Sequence, residues 1–492
     1  MSLKRQAFLG VFWTFSQQLS VQAINLGVQI LLARILLPQM FGLIAMLQIF
    51  LSVGNTLLDG GMASSLIRTE NPDQDDYSTV FFINLFCSIG IYGLVFLLAP
   101  GIGHFYSQPI LSPIVRIYTL SFIIQALVAV QTTKLTKEMN FKLQMYMQIP
   151  SVLVGGIVGI ALAMQGYGVW SLVWMNLVRS FLFMIQHWFR SNWFPSPRLN
   201  KEKLKYHFSF GYKLTLSGLV TSLYYNLYTV VIGKLFSVTQ LGFYNQANTL
   251  SMFPTANLST ALLKVTYPMF SALQNNNEKL KLVYKRLTLL VFFGVTPIMI
   301  ILALAADPLF RILLTNKWSP ATPYFQVLCI SAIIYPYSMF NITIIPAKGR
   351  SDIHFKAELI KKGVSTLVLI PLIYFGLWGI ISASVFSMIF HGLVNGFYAG
   401  KLISYPLKDQ LLNIMPIILV GGFAAAACKG LFLLVIHYYI SSDSLTILLT
   451  SIIYLFFYTG ISFLLRLSVL NEIRHIIKGV NFKQFSKNYN TN

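Results

Sequence analysis

The sequence predicts an all-α integral membrane protein of about fourteen transmembrane helices, built as two pseudo-repeated six-helix bundles plus two C-terminal helices. Three observations predict it: a composition with too little charge to cover a soluble surface, apolar runs of membrane-spanning length at regular intervals, and landmarks that recur about 200 positions apart. Of 492 residues, 56% are hydrophobic and 10% charged, and the mean hydropathy is +0.68. Soluble domains carry roughly 25% charged residues, and a soluble chain of this length divides into domains that each need a charged surface. A soluble enzyme, a disordered chain and a secreted disulfide scaffold are therefore excluded. Cys87, Cys329 and Cys428 all fall within apolar runs, so free, buried thiols are expected.

A helix needs about 20 apolar residues to cross the hydrocarbon core. Runs that fit cover 10–34, 42–64, 79–99, 112–131, 147–165, 169–188, 212–233, 245–271, 288–306, 324–346, 363–376, 379–399, 413–437 and 445–466. The first follows Lys4 and Arg5 and lacks a small-residue cleavage site, so it reads as an uncleaved span. A break at Gly376-Leu377-Trp378-Gly379 is required, because 363–399 would be too long for one tilted helix.

The net charge is +22. In a soluble protein that would point to nucleic acid. Here the cations lie between apolar runs, so they report membrane orientation and anionic headgroups, with no nucleic-acid partner. With the N-terminus inside, the cytoplasmic connections hold Lys134, Lys137, Lys142, Lys279, Lys281, Lys348, Arg350 and many more. The opposite connections hold Arg34, Lys234, Arg311 and Lys317. That bias predicts a multi-pass protein with both termini cytoplasmic. The expected divisions are an N-terminal six-helix lobe over 1–190, a basic cytoplasmic linker over 191–211, and a C-terminal six-helix lobe over 212–400. Two extra helices over 401–466 and a basic cytoplasmic tail over 467–492 follow.

The halves share landmarks. Pro38-Gln39-Met40-Phe41-Gly42-Leu43 resembles Thr239-Gln240-Leu241-Gly242-Phe243-Tyr244. Asn140-Phe141-Lys142 resembles His354-Phe355-Lys356, and Gly168-Val169-Trp170 resembles Gly376-Leu377-Trp378. Three matches in order at nearly constant offset predict a parallel repeat, which places a substrate path where two halves meet.

The first span carries Thr14, Gln18, Gln22, Asn25 and Gln29. Spacings of three and four put all five on one helical face. Such a stripe faces protein or water rather than lipid. Ser217, Thr221, Tyr224, Tyr225, Asn226 and Tyr228 pattern the seventh span similarly, and Asn245, Asn248, Thr255 and Ser259 the eighth. For a single Ser or Thr, helix–helix hydrogen bonding explains the residue; for a row of amides, a wet cavity explains it better. Charged residues within spans are functional candidates by default: Arg179 mid-span, Lys264 toward the inner side, Arg34 and Arg116 near outer ends, Lys429, and Asp59 beside Gly60-Gly61. Arg34, Arg116 and Lys429 could equally snorkel to the interface. An excess of cations suits an anionic substrate. Pro254, Pro268, Pro297, Pro336 and Pro371 interrupt spans, as static shape or as hinges. No Walker loop, HExxH or Cys/His cluster occurs, so neither ATP hydrolysis, a metal site, a cofactor nor a catalytic residue is expected. His391 alone lies well inside a span, and is expected to be a packed or hydrogen-bonded residue.

The stretches Leu32-Ala33-Arg34-Ile35-Leu36-Leu37-Pro38-Gln39-Met40-Phe41-Gly42, Leu241-Gly242-Phe243-Tyr244-Asn245-Gln246-Ala247 and Tyr267-Pro268-Met269-Phe270-Ser271-Ala272-Leu273-Gln274 carry a family resemblance. Leu309-Phe310-Arg311-Ile312-Leu313-Leu314, followed by Lys317-Trp318 and Pro320-Ala321, extends it. Over nearly the whole chain the sequence resembles the polysaccharide transporter family, the Wzx-type flippases of lipid-linked oligosaccharides. These belong to the multidrug/oligosaccharidyl-lipid/polysaccharide exporter superfamily. The resemblance implies transport of undecaprenyl-pyrophosphate-linked glycans from the cytoplasmic to the periplasmic leaflet of the bacterial inner membrane, feeding O-antigen, capsule or exopolysaccharide synthesis. It implies lipid-linked oligosaccharide as the ligand, the bilayer as surroundings and polysaccharide polymerase machinery as a partner. Arg34, Arg179 and Lys264 are then expected to contact phosphate, and Gln18, Gln22, Asn25, Tyr225 and Asn226 to contact sugar. Proton or sodium coupling is open, with Asp59 as its carboxylate. A drug/cation antiporter of the same fold would call for acidic cavity residues. A membrane-embedded glycan polymerase or acyltransferase would call for a long polar catalytic loop, whereas 307–323 carries only Asp307, Arg311 and Lys317 as charges.

Overall fold

Helices are where the apolar runs require them. The computed structural model describes residues 3–191, 193–432 and 442–477. The chain forms two compact units, Met1–Asn245 and Gln246–Asn492. The first contains α1 (Leu3–Ile35), α2 (Pro38–Asp59), α3 (Met62–Arg68), α4 (Gln74–Phe105), α5 (Leu111–Tyr118), α6 (Leu120–Lys137), α7 (Phe141–Met164), α8 (Val169–Arg190), α9 (Lys201–Tyr225), α10 (Leu227–Leu235) and the start of α11 (Val238–Ala272). The second contains the rest of α11, then α12 (Asn277–Leu304), α13 (Ala306–Leu314), α14 (Thr322–Ala347), α15 (Ser351–Leu372), α16 (Gly376–Leu402), α17 (Leu407–Leu431), α18 (Asp443–Leu464) and α19 (Ser468–Ile477).

Each predicted span is helical over most of its described length; the end of 413–437 and the tail beyond 477 lie outside the described residues. Among the described residues, ten helical stretches are long and apolar enough to cross a membrane. The difference from fourteen is physical: α1, α9 with α10, and α11 are diluted by the polar stripes read above, and α15 with α16 forms one stretch, Ser351–Leu402. Three spans break in the middle. The second breaks at Gly60-Gly61, both with positive φ, the fourth at Thr119 and the seventh at Asn226. Pro254, Pro268, Pro297 and Pro336 sit inside helices that continue through them, whereas α15 ends at Leu372, one residue after Pro371.

Three sequence expectations change. The outer segment 307–323 is not a loop but α13 and a 3-10 turn, fastened by Arg311, whose Nη2 donates to Asp443 Oδ1 at 2.6 Å and Nε to Oδ2 at 3.0 Å. Cys87 is exposed on α4, whereas Cys329 and Cys428 are buried and all three are free. The linker over 191–211 is not an open loop. Trp193 Nε1 donates to Gln74 Oε1 at 2.6 Å, the Ser196 amide to Ser78 Oγ at 3.0 Å and the Asn200 amide to Thr79 Oγ1 at 3.1 Å, and α9 begins at Lys201. This docking on α4 puts the linker within the first unit. His391 behaves as expected, its Nε2 3.2 Å from Ser365 Oγ.

Backbone geometry tests the repeat. Gly168 (φ 58, ψ −128) and Gly376 (φ 71, ψ −157) hold nearly the same conformation at the starts of α8 and α16. That region is essentially closed to residues with a Cβ. The Asn140/His354 match is displaced. Asn140 caps α7 after Met139 (φ 55), and the corresponding pair is Gly349 (φ 71) and Arg350, not His354, which is inside α15. Both turns use the same bonds, i to i−3 (Met139 to Thr136, Gly349 to Pro346) and i to i−5 (Asn140 to Leu135, Arg350 to Ile345). We expect Gly376→Ala to lower stability by about 1–3 kcal/mol, read by denaturant unfolding of the purified chain, while Ala at Gly363, a helical position open around its Cβ, costs nothing measurable.

In the second unit a buried polar network joins α17 to the helices before it. The Tyr337 hydroxyl donates to Gln410 Oε1 at 2.7 Å, and the Tyr284 hydroxyl lies 3.1 Å from the same oxygen and 3.0 Å from Asn341 Oδ1. Gln410 Nε2 donates to the Gly396 and Tyr405 carbonyls at 3.0 and 2.8 Å. Gln410 is 1% exposed. Its replacement by Leu leaves the Tyr337 hydroxyl without its acceptor and removes the bonds to the Tyr284 hydroxyl and two carbonyls, so about 3 kcal/mol of stability should be lost in the same unfolding measurement.

Candidate functional site

Glycine shapes the site in the first unit. A Cβ at Gly155 of α7 would stand 2.8 Å from Arg179 Cβ and 2.9 Å from the Met175 carbonyl of α8. One at Gly159 would stand 2.8 Å from Met175 Cβ, and one at Gly156 2.5 Å from Val28 Cγ2 of α1. In a membrane, where burial of apolar surface does not drive helix association, such small residues let backbones pack closely. α7 therefore sits tightly against α8 on one side and α1 on the other, and the polar faces of α1 and α8 converge.

They meet at a cavity of about 230 Å³. Its polar lining is Asn25 and Gln29 from α1, Tyr118 from α5, Asn176 and Arg179 from α8, and Asn245 from the start of α11. No Asp or Glu lines it, so Arg179 is its single charge. A guanidinium held at low dielectric without a carboxylate is costly, and an anion entering the cavity would offset that cost through a forked pair of charge-assisted hydrogen bonds.

The structure brings together some predicted residues and separates others. Arg179 and Asn25 share the cavity. Gln18 and Gln22 lie on the same face of α1, half-buried, toward the chain's N-terminal end. Arg34 is exposed in the last turn of α1 and does not line the cavity. Tyr225 is 79% exposed, and Asn226 is buried, with its amide donating to the Ser222 carbonyl at 2.8 Å where α9 gives way to α10. Asp59 is exposed at the end of α2. Lys264 is exposed and belongs to the second unit. Among the described residues no His/Cys/Asp/Glu group could hold a metal ion.

Sequence reasoning missed Tyr118, which reaches the cavity because the fourth span breaks at Thr119. It also missed a second cluster, at the end of the helices where the basic connections lie. Asp76 (1% exposed), His207 (0%) and Ser65 (2%) are buried together. Ser65 Oγ is 2.8 Å from His207 Nδ1, and His207 Nε2 is 3.1 Å from Asp76 Oδ1. Asp76 Oδ2 accepts from Lys203 Nζ and from the Asp73 amide, both at 2.9 Å. Burial holds the His207 imidazole below its ordinary range, more than the neighbouring Asp76 raises it. Alongside, a Cβ at Gly211 of α9 would fall 2.0 Å from the Gly60 carbonyl, and Thr56 Oγ1 is 2.9 Å from Ser222 Oγ.

The chain is 25% identical over 385 residues to the lipopolysaccharide biosynthesis protein WzxC of Escherichia coli, covering 76% of each. It is 23% identical to the succinoglycan biosynthesis transport protein ExoT of Rhizobium meliloti, covering 68% of each. Among solved structures, the lipid II flippase MurJ in an inward closed conformation matches with a TM-score of 0.72 at 16% identity, over 92% of this chain and 99% of that one. At that identity the likeness speaks for the fold. The family model described as polysaccharide biosynthesis protein matches residues 31–323, more than half of the sequence, and the chain belongs to that family.

Proposed function

We propose that this protein is a flippase, and not an enzyme, that moves lipid-linked oligosaccharide repeat units across the membrane by alternating access. The finer reading is undecaprenyl-pyrophosphate-linked units carried from the cytoplasmic to the periplasmic leaflet of a bacterial inner membrane, with both termini cytoplasmic, for O-antigen, capsule or exopolysaccharide synthesis. The observation that carries it is the cavity with Arg179 as its only charge among amides and a tyrosine. A diphosphate matches the guanidinium fork, and sugar hydroxyls match Asn25, Gln29, Asn176, Asn245 and Tyr118. A cationic drug does not match a lining without carboxylates. Arg34 and Lys264 supply further phosphate contacts along the path, and Gln18, Gln22, Tyr225 and Asn226 further sugar contacts. Asp59, next to the Gly60-Gly61 break, is the carboxylate we assign to proton or sodium coupling. Polymerase machinery takes up the delivered units.

The test is a deletion strain in which lipid-linked glycan is assayed by leaflet. Repeat units should accumulate on the cytoplasmic side and return to normal when this chain is supplied. Units that cross normally but stay unpolymerised would replace the reading with a downstream enzyme. An unchanged glycan together with altered drug sensitivity would replace it with a drug exporter.

A further inference from the structure

We infer that Asp76, His207 and Ser65 form a proton-operated latch that fastens the start of α9 to α3 and α4 and lets go when His207 takes up a proton. The bonding pattern suits a neutral imidazole. Nε2–H donates to Asp76 Oδ1, Nδ1 accepts from the Ser65 hydroxyl, and Asp76 Oδ2 is filled by Lys203 and the Asp73 amide. Every polar atom of the ring is then satisfied. A proton on Nδ1 reverses the Ser65 bond and puts a cation in a site closed to water, 0% exposed.

The charged and titratable groups around the ring are accounted for element by element. α4 presents Asp76, with Asp73 at its cap, and Lys203 lies one turn earlier on α9. α3 presents Ser65, while its Arg68 sits over the Phe210 ring at 4.9 Å. Tyr206 packs edge-on against the ring at 5.2 Å. α2 brings Asp59, exposed, to the same end, and α10 carries Lys234, whose Nζ is instead on the Phe105 carbonyl.

The sign follows from linkage. His207 is held below 6.5 in the latched state by burial, and a freed, hydrated ring returns toward 6.5. The latched state is therefore favoured above pH 6.5 and loses ground as pH falls through that value. The latch also guards the backbone approach of α2 and α9 at Gly60-Gly61 and Gly211, because α9 cannot leave α2 there while its start is pinned to α3 and α4.

Amide hydrogen exchange on the full chain in lipid nanodiscs tests this without any substrate, so it succeeds or fails independently of the transport reading. Corrected for intrinsic rates, exchange in 62–68 and 201–211 should rise about fivefold from pH 8 to pH 5.5, with helix α17 unchanged. His207→Gln should show no pH response. Asp76→Asn keeps an acceptor for Nε2–H, gives up the one used by Lys203 and the Asp73 amide, and removes the anion favouring the imidazolium; its exchange should start higher and still rise by a larger factor with acid than in wild type, and it serves if the Gln variant fails to fold. A wild-type chain with no pH response, a response spread over α17 as well, the same response in His207→Gln, or a smaller one in Asp76→Asn overturns the latch.

Discussion

Arg179→Ala is expected to reach the membrane in at least normal amount and to export about a hundredfold less glycan, equivalent to ~3 kcal/mol of lost interaction. The two halves of that expectation belong together. A guanidinium at mid-membrane costs ~2.5–3.5 kcal/mol on insertion scales, and no carboxylate lines its cavity to offset the cost. Removing a structural arginine would lower stability, whereas removing one held in readiness for an anion should leave stability unchanged or raise it. Arg179→Lys keeps a point charge but not the fork, so a loss of about tenfold is expected. The double variant with Lys264→Ala should stop export at normal expression. Leaflet-resolved glycan together with thermal stability of the purified chain gives both readouts, and normal polymer from the double variant would remove both residues from the phosphate path.

Gly42→Ala and Gly242→Ala form the second test. The two glycines face one crossing: a Cβ on Gly42 would fall 2.0 Å from the Val238 carbonyl, and one on Gly242 2.0 Å from the Pro38 carbonyl. Pro38 and Val238 are themselves the first residues of α2 and α11. A methyl group cannot be absorbed at 2.0 Å from a backbone oxygen, so the helix starts must separate. Each variant should lose about 2–3 kcal/mol, at the upper part of the overpacking range. Because either methyl opens the same gap, the double variant should lose much less than the sum. Additive losses in a denaturant double-mutant cycle would mean that the glycines act separately.

Much of this architecture was readable from composition and pattern. Charge alternation and apolar length located the long apolar helices but not α13, which lies in a segment read as a loop, and the Gly376 break was required by length alone. Landmarks held where they encode backbone conformation, as in Gly168 and Gly376, which share a region that a Cβ forbids. They slipped where they rested on side-chain likeness, as in Asn140 and His354, since Phe-Lys after a polar residue has no single geometry. For the site, the spacing on α1 and the lone mid-span Arg179 led to the cavity. Tyr118 stayed hidden because nothing in 112–131 signals a break at Thr119. The latch stayed hidden because its members come from three segments, and a histidine in a basic linker looks solvated until that linker is seen docked on α4.

The Gly42–Gly242 crossing also has a mechanical meaning. It fixes α2 at one point with almost no clearance, so α2 behaves as a lever with its fulcrum at one end. Gly60 is 18 residues further along α2 and its cap, or ~27 Å at 1.5 Å per residue. A tilt of ~10° about the fulcrum sweeps that far end through ~5 Å, about one helical pitch, while the fulcrum hardly moves. Small angular play at one membrane face thus becomes a gap of side-chain width at the other, where Gly60-Gly61 and Gly211 now touch.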